Sequence, residues 1–266
     1  VIDSDTADGT VAIGWNAAGA LTSGAYNTVI GSSAGLENKL GEANIAIGYG
    51  AFNDSYTNDT TDAANDDNIF IGVNTGGGTW TAASSSTVYS CSKNVGIGSN
   101  AMAAAMSGAL YNTALGYNTH NGLTTGDYNT VLGSTAGYVL SSGTKNTVCG
   151  SYALSTSTDV DNAVAIGYNA MQAGDVTAAA DGTVAIGYEA LKALTSGSGN
   201  LAIGLSALAA QTDGVRNIAI GSNSLASADA SEDDNIAIGF EAMAGLNHAD
   251  AHDNIAIGSY AGDAMG

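Results

Sequence analysis

Fourteen times along the chain two apolar or threonine positions flank one further residue and run into a glycine, in the manner of Ile45-Ala46-Ile47-Gly48. The glycines stand at positions 14, 31, 48, 72, 98, 116, 133, 150, 167, 187, 204, 221, 239 and 258. The steps between them are 17, 17, 24, 26, 18, 17, 17, 17, 20, 17, 17, 18 and 19, so a 17-residue unit carries two large insertions and several small ones. Self-similarity at so short a period marks a solenoid, in which each coil covers the apolar surface of the next. The residue before the glycine is Ile, Leu or Cys throughout, and the residue two earlier is Val, Ile, Leu or Thr. Side chains two apart in a strand share a face. These two positions are therefore assigned to the interior of the coil.

The residue between them reads Ala12, Val29, Ala46, Phe70, Gly96, Ala114, Val131 and Val148, and Ala in each of the six remaining coils through Ala256. On a solvated sheet it would be polar, and in no coil is it polar. Both faces of the strand read as dry. The outer, small-residue face is expected to be shielded by the same face of a sister chain. At roughly 0.8 kcal/mol per methyl-sized group, thirteen such side chains would contribute about 10 kcal/mol to that contact. A flat sheet contact within one chain is the alternative.

Four residues before the glycine stands Asn in eleven of the fourteen coils, with Thr10, Ala163 and Thr183 as the exceptions. Asn suits tight turns and side-chain amide ladders along a stack. Three residues after the glycine, eleven coils have Ala, which indicates tight space. The next position alternates between Gly, as in Gly35 and Gly137, and bulky groups such as Phe52, Met102, Leu154 and Met171, which indicates core filling at a corner. Segments such as Leu21-Thr22-Ser23-Gly24 return the chain to the next Asn. The predicted coil holds two short strands and two turns.

The predicted fold is all-β: a parallel β-solenoid of about fourteen coils, forming one elongated domain over 1–266 with lateral insertions near 53–66 and 77–93. At roughly 4.8 Å per step, thirteen steps give a stack about 60 Å long. Proline is absent and glycine numbers 37 of 266, which suits coils packed backbone to backbone.

Five Lys and Arg against 25 Asp and Glu give a net charge of −20. No basic patch exists to release phosphate counterions, so no nucleic-acid partner is expected. The acids would keep a repeat-rich rod soluble in salt-rich surroundings. Several charges and tyrosines share the column five residues before the glycine, predicting ladders between neighbouring coils: Asp67 beside Lys93, Tyr111 beside Tyr128, Arg216 beside Asp234. Exposed pairs of this kind set register more than stability. Cys149 takes the place of a core Ile or Leu and is expected to be a small buried hydrophobe, while Cys91 lies in an insertion. No residue run suits a membrane helix, so no membrane insertion is expected. The chain reads as a fragment or a processed product, with any targeting or anchoring segment outside it.

Candidate chemistry is sparse, and no enzyme activity is expected. His248 and His252 would meet only on a helix, whereas their segment is an inter-coil insertion. The acidic runs Asp66-Asp67 and Glu232-Asp233-Asp234 read as solvated turns or as collectors of a hard cation such as calcium. Gly76-Gly77-Gly78 has neither the lysine nor the helix of a phosphate cradle. No nucleophile stands with a credible base, so no catalytic, cofactor or metal residues are assigned and no cofactor is implied. The insertions carry the candidate receptor-contact residues Tyr56, Trp80 and Tyr89, placed among polar residues of the kind that stack on sugars or meet a partner. Decoration of the rod is the competing reading. Aromatics just after the glycine (Trp15, Tyr49, Tyr117, Tyr168, Tyr188, Phe240) are read as corner packing, with an exposed binding stripe as the alternative.

Val11-Ala12-Ile13-Gly14, Val164-Ala165-Ile166-Gly167 and Val184-Ala185-Ile186-Gly187 resemble the head repeats of trimeric autotransporter adhesins, left-handed parallel β-rolls assembled as trimers on bacterial surfaces. Units such as Asn27-Thr28-Val29-Ile30-Gly31 and Asn129-Thr130-Val131-Leu132-Gly133 also resemble repeats in bacteriophage tail fibres. The repeat is longer than the adhesin unit of roughly fourteen residues, and the family's neck and anchor are not expected within these 266 residues. The resemblance implies a homotrimer and a structural attachment protein: a fibre or spike segment of a virion tail fibre, binding a host-surface glycan or protein receptor. The alternative is a bacterial cell-surface adhesin head. Two other classes are weighed against it. A carbohydrate-active solenoid would need a facing carboxylate pair or basic residues beside an acidic sugar. An ice-binding solenoid would need a flat threonine array, of which Thr28, Thr113, Thr130 and Thr147 supply fragments on the face assigned to the core.

Overall fold

A computed structural model describes residues 8–39, 41–53, 65–78, 91–172, 176–229, 232–248 and 251–263. The chain is an all-β parallel β-solenoid, and its contacts divide it into two compact units, 1–134 and 135–266. In the first, β1 (Val11–Ile13), β2 (Thr28–Ile30), β3 (Ile45–Ile47), β4 (Ile69–Ile71), β5 (Val95–Ile97), β6 (Thr113–Leu115) and β7 (Thr130–Leu132) form one parallel sheet in chain order. In the second, β8 (Thr147–Cys149), β9 (Val164–Ile166), β10 (Val184–Ile186), β11 (Leu201–Ile203), β12 (Ile218–Ile220), β13 (Ile236–Ile238) and β14 (Ile255–Ile257) do the same. Register is column on column: Ile45 pairs with Ile69, Ala46 with Phe70, Ile47 with Ile71. The same register holds between β3 and β4 and between β4 and β5, on either side of the large insertions. Among the described residues the one helical element is the 3-10 turn Ala178–Ala180.

Each strand ends after three residues because its glycine takes φ between 126° and 143°, where a β-carbon is strained. The stack itself also demands glycine. A β-carbon on Gly31 would lie 2.3 Å from the carbonyl oxygen of Gly48, and one on Gly48 equally close to that of Gly72.

One strand per coil forms, not the two expected. Residues two and four after the glycine both take positive φ, as in Asn100 (57°) and Met102 (50°) or Tyr152 (59°) and Leu154 (46°), and that conformation breaks an extended run. The return wall still bonds coil to coil through its backbone: the Ala18 N–H donates to Ala34 O at 2.9 Å and the Leu191 N–H to Ala207 O at 3.0 Å.

The two faces of the strand are the reverse of the sequence expectation. The middle column is the interior: Ala46, Phe70, Ala114, Val131, Val148, Ala165, Ala185, Ala202, Ala219 and Ala237 have no exposed surface within a single chain. The flanking Ile, Val, Leu and Thr residues point outward and are half-buried or exposed. Their exposure reaches 58% at Ile13 and 69% at Ile255 and Ile257. The shielding of the small column, assigned to a sister chain, is supplied by the coil's own far wall. The reason is volume. The coil is thin, and Phe52, Met102, Leu154, Met171, Leu191, Leu208 and Met243, four residues past the glycine, already fill it as expected. Only a methyl group fits beneath most strands. Where the strand residue is larger the corner residue shrinks to glycine, as in Val29 with Gly35, Phe70 with Gly76 and Val131 with Gly137. Val148 with Leu154, both fully buried, is the exception.

The asparagine ladder forms as predicted. In the first unit Asn27 Oδ1 accepts from the backbone N–H of Asn44 (2.9 Å) and from its Nδ2 (3.2 Å), while Asn27 Nδ2 donates to Gly41 O (2.8 Å). The relay continues through Asn68, Asn94, Asn112 and Asn129. In the second unit it runs from Asn200 through Asn217 and Asn235 to Asn254. Each asparagine thereby satisfies a buried backbone donor of the next coil.

The cysteines also exchange roles. Cys149 lies exposed on the outward column, whereas Cys91, from the insertion, is buried with its Sγ accepting the Gly108 N–H at 3.2 Å. Both are free thiols.

Candidate functional site

The outward face of the strands recurs in every coil of each unit. Its two columns carry no charged residue in any coil. A third column joins them just past the glycine, where Trp15 (75% exposed), Tyr49 and Tyr117 in the first unit and Tyr168, Tyr188 and Phe240 in the second stand in solvent. These aromatics were expected to pack into the corner. The corner is instead filled by the residue three positions further on, which leaves the aromatics outside. Thr28, Thr113, Thr130 and Thr147 lie on the same outward face.

Ladders edge this face. Tyr111 and Tyr128 stack with ring centroids 4.9 Å apart and planes within 5°. The Lys93 ammonium caps the stack, 3.2 Å from the Tyr111 hydroxyl and 5.1 Å from its ring centroid. That hydrogen bond and the nearby charge raise the lysine pKa. Arg216 grips Asp234 with two hydrogen bonds of 2.6 Å, which lowers the aspartate pKa and raises that of the arginine. Tyr168 and Tyr188 stack at 5.6 Å. Beside them Glu189 receives Lys192 at 2.9 Å. The lysine's hydrogen bond lowers the Glu189 pKa, and the glutamate's charge raises that of the Tyr188 hydroxyl.

The acidic turns have a structural use that the sequence reading missed. Asp66 Oδ1 accepts the Glu42 N–H (2.8 Å), Asp127 Oδ1 that of Leu110 (2.7 Å) and Asp233 Oδ1 that of Val215 (2.8 Å). Asp161 Oδ1 takes both the N–H and the hydroxyl of Thr144. Their recurrence six residues before the glycine was the available signal. His252 Nδ1 accepts the Asp233 N–H at 3.3 Å. Among the described residues no group of three metal-binding side chains is assembled, and no helix is long and apolar enough to cross a membrane. Tyr56, Trp80 and Tyr89 lie outside the described residues.

No family model, no curated protein and no solved structure matches the chain. Its outward face therefore has to be read on its own chemistry. That chemistry is uncharged, with isoleucine, valine, leucine and threonine in the two strand columns and charged or aromatic ladders beside them.

Proposed function

We propose that the chain is a segment of a structural attachment fibre, a homotrimer in which the outward strand faces pack against sister chains, and that it belongs to a virion tail fibre. The single observation that carries this reading is the uncharged Ile, Val, Leu and Thr face left outside each coil. Four residues wide and seven strands tall, that face covers about 400 Å² in each unit. That is the size of the largest apolar patch on a typical monomer, which is often functional. A closed rotational assembly covers such a face completely. The resemblance of the repeat to left-handed trimeric β-rolls gives the number three and the hand. The sister chain keeps its place in this reading, but its contact moves from the alanine column to the isoleucine columns. Host-surface glycans or proteins would be bound by the insertions carrying Tyr56, Trp80 and Tyr89, held away from the surface that anchors the fibre. A bacterial surface adhesin head fits the same geometry.

Adjacent substitutions on one strand test the reading. Ile186→Glu on the outward face should abolish the oligomer and leave a folded chain, whereas Ala185→Glu, its buried neighbour, should prevent folding. An Ile186→Glu chain that assembles like the parent would refute the interface.

A second reading draws on the outward threonines. Thr113, half-buried, and Thr130, exposed, are paired neighbours on the outward face, so water ordering at ice is its alternative use. Thermal hysteresis in dilute solution would support ice binding, and its absence with a stable oligomer supports the fibre.

A further inference from the structure

We propose that salt drives assembly through the outward faces, with low ionic strength holding copies of the chain apart. The proposal rests on the reading of that face as a self-association surface. The two flanking columns of the strand carry no charge, so contact across them makes no ion pairs. Charge collects instead on the corner that enters the strand, five and six residues before the glycine. In the first unit this corner holds five acidic residues against one lysine, and in the second five against two cations. Several of them are open to solvent beside the first outward residue, as Asp67 is to Ile69 and Asp253 to Ile255. Two of the three cations offer a second copy little, since Lys93 caps the Tyr111 ring and Arg216 is committed to Asp234 within its own chain, which leaves the exposed Lys145 against ten acids. At the far edge Glu189 is paired with Lys192, while Glu241 adds a further negative group.

A second copy laid on this face brings its own acidic corner with it. Each chain carries a formal charge of −20, so association gathers like charge around an apolar centre. Repulsion between such rims reaches about 30 Å at 0.01 M salt and about 3 Å at 1 M. The apolar contact has no ionic part to lose as salt rises. Salt therefore strengthens this assembly, the opposite of its effect on an interface held by ion pairs.

The test is sedimentation velocity of the full chain at micromolar concentration in 10 mM, 150 mM and 1 M NaCl at pH 7. A parallel series uses the triple substitution Glu42→Gln, Asp67→Asn and Asp253→Asn, three exposed sites. The dissociation constant of the parent chain should fall at least tenfold from 10 mM to 1 M, and the variant should start tighter and change less. An oligomer equally stable at all three salt concentrations, or tighter at 10 mM, overturns salt-driven assembly while leaving the interface standing. A variant with the full parental slope overturns the assignment to these acids. A chain that stays monomeric throughout overturns the interface itself.

Discussion

A β-carbon on Gly76 would lie 2.7 Å from the ring of Phe70, so the largest side chain of the strand column exists only because its own corner residue has none. Gly96, the next residue up that column, yields in the same way, with its β-carbon position 2.8 Å from the Phe70 ring. Each coil divides a fixed interior volume between strand and corner.

Gly96→Ala is expected to destabilise the first unit by about 1–3 kcal/mol, because the added methyl meets a ring held by its neighbours. Phe70→Ala alone should cost about 3–5 kcal/mol through the cavity it leaves. Combining Phe70→Ala with Gly76→Met recreates the natural pairing of Ala165 with Met171 and should recover part of that loss. Urea unfolding of the four chains measures this, and a double variant no more stable than Phe70→Ala contradicts shared volume.

Asn68→Ala removes an acceptor used by Asn94 and a donor to Asn44 and Cys91, all in the dry interior. With buried groups left unpaired, a loss of about 3 kcal/mol is expected. Hydrogen exchange at the Asn94 amide should accelerate in step. Unchanged protection there would contradict the ladder's role.

Ala43 is exposed with φ of 55°, a conformation that penalises any β-carbon. Ala43→Gly should therefore stabilise the chain by about 0.5–1 kcal/mol after glycine's entropy is subtracted. A destabilised variant in thermal unfolding would contradict the positive φ at this corner.

Arg216 holds the Asp234 carboxyl below its ordinary pKa. The pair's contribution to folding is present above an unfolded aspartate pKa of about 3.9. It is lost as pH falls through the lower folded value. Arg216→Gln should return the Asp234 pKa towards the ordinary range in an NMR titration. An unaltered titration would remove the ion pair.

The period, the parallel sheet, the asparagine ladder and the stacked Tyr111 and Tyr128 were legible in the sequence, because each depends on residues recurring in one column. The inside of the coil was not. Alternation alone says that Ala46 and Ile47 face opposite ways, and large apolar residues are inside by default. That default fails where a thin coil is already filled from its corner. The anticorrelation of Val29 with Gly35 and Ala46 with Phe52 carried the answer, since only residues sharing a space trade volume. The same error placed Cys149 in the core and left the aromatics after the glycine in the corner. The second strand was missed for a different reason: the positive-φ columns are marked by Asn and Gly in only some coils, as at Asn100 and Gly35, and residues such as Met102 and Leu154 take the same conformation elsewhere.

Cys149 reports on the outward face directly. An isolated folded chain should present one reactive thiol to a membrane-impermeant reagent, since Cys91 is buried. In the proposed assembly that thiol is covered, and labelling should slow at least tenfold. Equal rates above and below the assembly concentration would place Cys149 outside the contact.

The most direct measurement is the molar mass of the full chain by sedimentation equilibrium at micromolar concentration in 0.5 M NaCl. The expected mass is three times the 26.1 kDa of one chain. A single species at the mass of one chain, stable over a hundredfold range of concentration, would contradict it.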